Sequence, residues 1–356
     1  MQKNTKLDFT GQEIYVGLDT GKKSWKVCIL TEGLEHKAFS QPPQPGLLVG
    51  YLRKHFPGAK YQCVYEAGYF GFWIHDALKK QGVNCVVTHP ADVPTKDKER
   101  RNRNDQVDAR KLARSLRNQE LTSLYVPTRS ALEDRSLIRA RMDMVRKQTR
   151  CKNQIKAFLS FYGYPIPDGL VESHWSRRFI DWLEDISFEG DSGKQSLETL
   201  LGELKHLRQS IAHLTRQVRT LARQESYRTQ VELLCSIPGI STLSAMVLLT
   251  EIVDINRFKN LDQLASYVGL VPGEDSSGEQ ERTTGISHRR NSHLRNTLIE
   301  CSWVAVREDP ALLMAFSKLS KRMPKTRAIV RIARKLLNRI RYVLKHQETY
   351  ETCVVM

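Results

Sequence analysis

The sequence predicts an α/β N-terminal domain followed by a long-helix coiled-coil region and an all-α C-terminal domain. Three observations carry this. Short apolar runs alternate with helical spacing over the first third of the chain, apolar residues then recur at heptad intervals, and the last third is helical in period throughout.

Residues 13–19 and 24–31 are β-branched-rich runs joined by Thr20-Gly21-Lys22-Lys23, a hairpin signal, and 36–41 fits an edge strand. Helical spacing over 45–56 and 70–81 alternates with strand runs at 60–66 and 84–88. Three early strands followed by βαβ alternation describe one α/β sheet. Residues 105–119 then place Val107, Leu112, Ala113 and Leu116 on one helix face.

From Arg129 the pattern is helical. A long basic helix is expected over 129–162, ended by Gly163 and the breaker Pro165-Ile166-Pro167-Asp168-Gly169. Residues 173–186 are amphipathic and 187–194 read as a polar linker. Leu197, Leu204, Ile211 and Val218 recur every seven residues, as do Leu200, Leu207, Leu214 and Leu221. Such a seam closes on the 129–162 helix or on another protomer. Further on, 233–252 reads as helix, Ile237-Pro238-Gly239-Ile240-Ser241, helix. That pattern resembles a helix-hairpin-helix element whose backbone N–H groups face a phosphate, and it equally suits a simple capping turn. These breaks divide the chain into 1–125, 126–228 and 229–356.

The 356 residues carry 56 Lys and Arg against 39 Asp and Glu, a formal charge of +17 that points to a polyanionic partner, nucleic acid ahead of membrane. The excess is concentrated: 318–345 is net +11 with no acid, 129–162 is +6 and 96–117 is +5, so the remainder is net −5. Arg100, Arg101 and Arg103 in the loop before 105, and Arg331, Arg334 and Arg339 on the last basic helix, are candidate nucleic-acid contacts. No apolar run approaches the ~20 residues of a membrane span and the N-terminus has no apolar signal core, so a cytoplasmic, bacterial-type and nucleoid-associated location is expected. Seven scattered cysteines without C-x-x-C spacing read as reduced thiols, not as a disulfide framework or zinc site.

Four acids stand in informative places. Asp19 closes the first strand, Glu66 closes the strand after the first helix, and Asp105 and Asp108 are three apart on one helix face. Their hard oxygens suit Mg²⁺ or Mn²⁺, and such ions clamp the attacking and leaving oxygens of a phosphoryl displacement. Taken singly, each acid also suits a turn, an ion pair or a helix cap. The aromatic run Tyr69, Phe70, Phe72 and Trp73 fits core packing or base stacking.

The strings Val16-Gly17-Leu18-Asp19-Thr20, Tyr65-Glu66-Ala67-Gly68 and Asn104-Asp105-Gln106-Val107-Asp108-Ala109-Arg110, with the distal Ile237-Pro238-Gly239-Ile240-Ser241, resemble the bridge-RNA-guided DEDD transposases of insertion sequences, a family related to the Piv-type DNA invertases. The likeness spans nearly the whole chain. It implies an N-terminal domain of RNase H-like (RuvC-like) fold, a coiled-coil middle and a C-terminal transposase domain. The stretch 258–278 and Gly285-Ile286-Ser287-His288-Arg289-Arg290-Asn291-Ser292-His293-Leu294-Arg295 are similar to the family's C-terminal signature, which adds Arg289 and Arg295 as nucleic-acid contacts.

In that family the Ser before Gly in this loop is the nucleophile that forms a phosphoserine link to DNA, and the match here is Ser277, with Ser276 adjacent. A serine hydroxyl needs activation, and the resemblance assigns that work to the acid cluster with Mg²⁺ or Mn²⁺, within one chain or across protomers. It further implies a guide (bridge) RNA, a structured non-coding RNA, together with donor and target DNA and a homodimer or homotetramer. Read apart from the family, Asp275-Ser276-Ser277-Gly278 is a polar turn. The sequence departs from the family at Ser241 and Arg290, where Gly is usual. Two other functions suit the residues: a metal-dependent Holliday-junction resolvase or nuclease with water as nucleophile, and a non-catalytic nucleic-acid scaffold.

Overall fold

The computed structural model describes residues 7–94, 105–170, 175–277, 280–287 and 290–352, with the backbone alone at 105–106, 273–277 and 280–285. It forms two compact units, Met1–Val126 and Pro127–Met356.

The first unit is built on a five-stranded mixed sheet in the order β3-β2-β1-β4-β5. Strands β1 (Glu13–Thr20), β2 (Trp25–Leu30) and β3 (Glu35–Gln41) form an antiparallel meander, so the predicted edge strand is present. Strands β4 (Lys60–Glu66) and β5 (Asn84–Thr88) run parallel to β1 through crossovers α1 (Pro45–His55) and α2 (Trp73–Lys80). Helix α2 begins three residues later than its spacing suggests, after a turn in which Gly71 adopts φ +59°. One sheet face buries Ile14, Val16 and Leu18 against Leu48, Leu52, Ile74 and Leu78 of the crossover helices.

Helix α3 (Asp105–Arg117) covers the opposite face. Its close approach requires Gly17. A Cβ there would lie 2.1 Å from the Ala109 carbonyl oxygen and 2.5 Å from the Ala113 nitrogen, both backbone atoms that no rotamer can move.

In the second unit α4 (Arg129–Phe161) and α6 (Asp191–Ala222) pack along each other. They are antiparallel, since Cys151 meets the Leu200 carbonyl and Arg141 meets Thr215. Leu197, Leu204, Leu207, Val218 and Leu221 of the heptad positions are buried, whereas Leu200, Ile211 and Leu214 are half-buried. The seam therefore closes largely within the chain. Short α5 (Arg177–Glu184) adds Phe179 and Leu183 to that core, and α6 starts at Asp191, inside the segment read as a linker.

Helices α7 (Glu225–Cys235), α8 (Thr242–Ile252), α9 (Leu261–Val268), α10 (Ser292–Glu308), α11 (Pro310–Ser320) and α12 (Lys325–His346) enclose a second core. The expectation of an all-α domain is corrected here. Strands β6 (Pro272–Ser277) and β7 (Gln280–Ile286) form a two-stranded antiparallel ribbon. Both segments are polar at nearly every position, so no apolar alternation betrays them. The stretch 318–345 is likewise two helices, broken before Pro324.

Candidate functional site

Parallel pairing of β1 with β4 ends in the register Gly17↔Val64, Leu18↔Tyr65. Asp19 and Glu66 follow that last pair, at the C-terminal ends of neighbouring strands about 4.8 Å apart. Because strand side chains alternate, both acids share the face of Gly17 and Val64, where Val64 packs on Leu112 of α3. The direction of α3 completes the arrangement. Arg117 at its C-terminus reaches the Thr31 carbonyl at the far end of the sheet, which brings its first turn to the strand ends that carry the acids.

Asp108 belongs to that turn, one turn before Leu112, and the backbone of Asp105 begins the helix. Burial first, and then the charge of Asp108, hold the Glu66 carboxyl above its ordinary range, opposed by Lys111 and His89. A buried carboxyl beside a second acid favours the arrival of a cation. Among the described side chains, no group of three or more His, Cys, Asp and Glu is gathered within metal-binding reach. The side chain of Asp105 is outside that set. The donors present, carboxylate oxygens, fit a hard divalent ion in their chemistry.

Two residues of this neighbourhood are absent from the sequence-based set. Lys111 lies with its Nζ 3.5 Å from Asp108 Oδ1 and its side chain 9% exposed. His89 follows β5, the next parallel strand end, and its Nδ1 accepts a hydrogen bond from the Ala91 N–H. Its strand-end position matches that of Asp19 and Glu66 and was the available signal. For Lys111 the signal was its place one helical turn after Asp108.

In the second unit Ser277 is the last residue of β6 and pairs with Gln280, the first residue of β7, so the backbone places it at the end of the ribbon. The base is firmly tied. The Ser287 N–H donates to the Val271 carbonyl, and Arg295 Nη1 donates to the Gly269 and Ser287 carbonyls at 3.1 and 3.0 Å. Behind it lies Glu251, 1% exposed, which accepts from Arg139 Nε at 2.7 Å, Arg139 Nη2 at 2.9 Å and Asn291 Nδ2 at 2.7 Å. Burial would raise the Glu251 carboxyl, but these hydrogen bonds and the Arg139 and Arg135 charges outweigh it and hold it below its ordinary range. Asn291 also caps α10. One buried carboxylate thus joins α4, α8 and the segment leaving the ribbon.

The other predicted contacts fall in different settings. Arg331 is exposed on α12 and lines a groove of about 990 Å³ at the ribbon base, floored by Leu261, Leu270, Val271 and Val330. Arg334 pairs with Asp262, and Arg339 pairs with the buried Asp309 beneath Tyr350. Arg295 is committed to the ribbon base as above. Arg100, Arg101, Arg103 and Arg289 lie outside the described residues. In the 237–241 turn the Gly239 N–H donates to Glu308 Oε2 at 3.1 Å, and a Cβ at Gly239 would meet the Cys301 carbonyl oxygen at 2.5 Å. A carboxylate of the chain itself takes the donor that a phosphate would use, so in this structure the turn serves packing against α10. Of the aromatic run, Tyr69 is 93% exposed, whereas Phe70 and Phe72 pack against the sheet core.

A family model described as the Transposase IS116/IS110/IS902 family matches residues 231–317, and a DEDD transposase model of the IS110 type matches residues 16–164. The chain is 31% identical to the putative transposase y4qE of Sinorhizobium fredii over 82% of its own length and 72% of that protein. It is 27% identical to the putative transposase y4rJ of the same organism, over 91% and 90% of the two chains. The transposase for insertion sequence element IS1111A of Coxiella burnetii is 28% identical over 70% of this chain and 68% of its own.

Proposed function

The chain belongs to the IS110/IS116/IS902 family of DEDD transposases, and from this we propose that it is an RNA-guided transposase that cleaves and exchanges DNA strands through a phosphoserine intermediate. The observation that carries the reading is the seating of α3 on Gly17, which sets Asp108 beside the strand ends of Asp19 and Glu66. We assign Asp19, Glu66, Asp105 and Asp108 as ligands of Mg²⁺ or Mn²⁺ in an RNase H-like (RuvC-like) domain spanning 1–125. When bound, a divalent ion supplies charge neutralisation at the phosphate.

Ser277 is assigned as the nucleophile. Its Oγ bonds to phosphorus and gives up its proton, while the deoxyribose oxygen leaves and takes one up. The phosphodiester energy is kept in the serine ester, so a hydroxyl of a second strand can reverse the step and join to it. A reaction of this kind needs two DNA partners, donor and target. It also needs paired copies of the chain, for which residues 126–228 offer a helical region and a homodimer or homotetramer is the expected assembly. Phosphate contacts are assigned to Arg331 and to Arg100, Arg101, Arg103 and Arg289, with Arg334 able to join by exchanging its exposed partner Asp262. Arg295 and Arg339 contribute by holding the ribbon base and α12 in place. A structured guide RNA fits the separate cationic segments, since A-form RNA is gripped through phosphates and 2′-hydroxyls.

The test is cleavage of insertion-sequence-end DNA by protein purified with its copurifying RNA. Wild type is expected to cleave in Mg²⁺ and not in EDTA, with Glu66→Gln and Asp108→Asn reduced at least about 100-fold. Sequencing of the RNA is expected to return one structured species transcribed beside the gene. Cleavage that persists in Asp108→Asn, or random cellular RNA, would contradict the respective assignments.

A further inference from the structure

We propose that Lys111 is a resident counter-cation of the acid cluster, holding Asp108 and Glu66 together before a divalent ion arrives and weakening that ion's hold. The proposal rests on the metal-site reading above. Burying an ammonium group is costly unless it is paired, yet the Lys111 side chain is almost wholly buried, on the helix whose Ala109, Leu112 and Ala113 pack on the sheet. Packing alone would be served by an apolar residue at this position. Two neighbouring cations of α3 are directed elsewhere: Arg110 to Glu35, and Arg117 to the carbonyls of Thr31 and Glu32. The Lys111 ammonium instead lies against Asp108 and acts on Glu66.

Two consequences follow from Coulomb's law at such short range. The lysine relieves repulsion between Asp108 and Glu66 in the free protein. It also competes with an incoming ion for the same oxygens and repels it. A residue that merely filled space would show neither effect when exchanged for methionine, which is unbranched, one atom shorter and uncharged.

The experiment uses the full chain and Mn²⁺ alone, with free Mn²⁺ followed by electron paramagnetic resonance and folding followed by thermal melting. Lys111→Met is expected to bind Mn²⁺ about tenfold more tightly than wild type, to melt lower in EDTA, and to gain more from added Mn²⁺. Lys111→Arg, which keeps the charge, is expected to bind within about threefold of wild type. If the methionine variant folds only once Mn²⁺ is added, the proposal is supported. Equal or weaker binding by a folded Lys111→Met protein overturns the counter-cation role. Absence of any Mn²⁺ binding by wild type would instead overturn the metal-site reading, and the proposal with it.

Discussion

A carboxyl held above its ordinary range carries a pH signature, and Glu66 is such a group, raised by burial and by Asp108. Its folded form keeps a proton over a window in which the unfolded chain has released it. Stability therefore falls as pH rises through that window and stays lower above it. In EDTA, Glu66→Gln is predicted to melt above wild type at pH 7 and to show no advantage at pH 4; equal melting at pH 7 would contradict the burial argument. Gly17 makes a second prediction at this scale. Gly17→Ala must displace α3 by its backbone, so we expect a loss of about 1–3 kcal/mol in denaturant unfolding and weaker Mn²⁺ binding from the displaced Asp108. An unchanged midpoint would mean that α3 does not sit on that glycine.

Among the elements, the ribbon that carries Ser277 depends on Glu251, whose carboxyl lies below its ordinary range because Arg139 and Asn291 outweigh its burial. Its contribution is present above the ordinary carboxyl range and is lost as pH falls through the lowered value. Glu251→Gln is predicted to cost about 3 kcal/mol near neutrality and to flatten the acid limb of the stability curve. A variant with the wild-type acid limb would show that the network is incidental. Strands and helices of the first unit were legible because their faces differ: β4 and β5 match the expected bounds, and Asp19 and Glu66 were found as strand-end acids. Lys111 was not, because a lysine in a basic segment reads as solvated until α3 is seen to bury it. The ribbon escaped because its polar residues give no periodicity, and the spacing around Gly239 left two readings open because it says nothing of Glu308 on a distant helix.

Taken whole, the molecule places its charge excess on a few segments, and nucleic-acid affinity is predicted to fall steeply with salt. Arg331→Gln should lower the slope of log affinity against log salt by about one. Arg339→Gln should leave the slope alone and lower the melting temperature, because its partner is the buried Asp309. Among the described residues no helix is long and apolar enough to cross a membrane. Strand exchange through serine requires a covalent protein–DNA adduct. Protein, copurified RNA and insertion-sequence-end DNA are quenched in detergent, and the DNA-linked peptide is mapped by mass spectrometry. A nucleotide ester is expected on Ser277, lost in Ser277→Ala and retained in Ser276→Ala. Cleavage in the Ser277→Ala protein, or cleavage by wild type with no adduct, would make water the nucleophile and contradict the serine assignment.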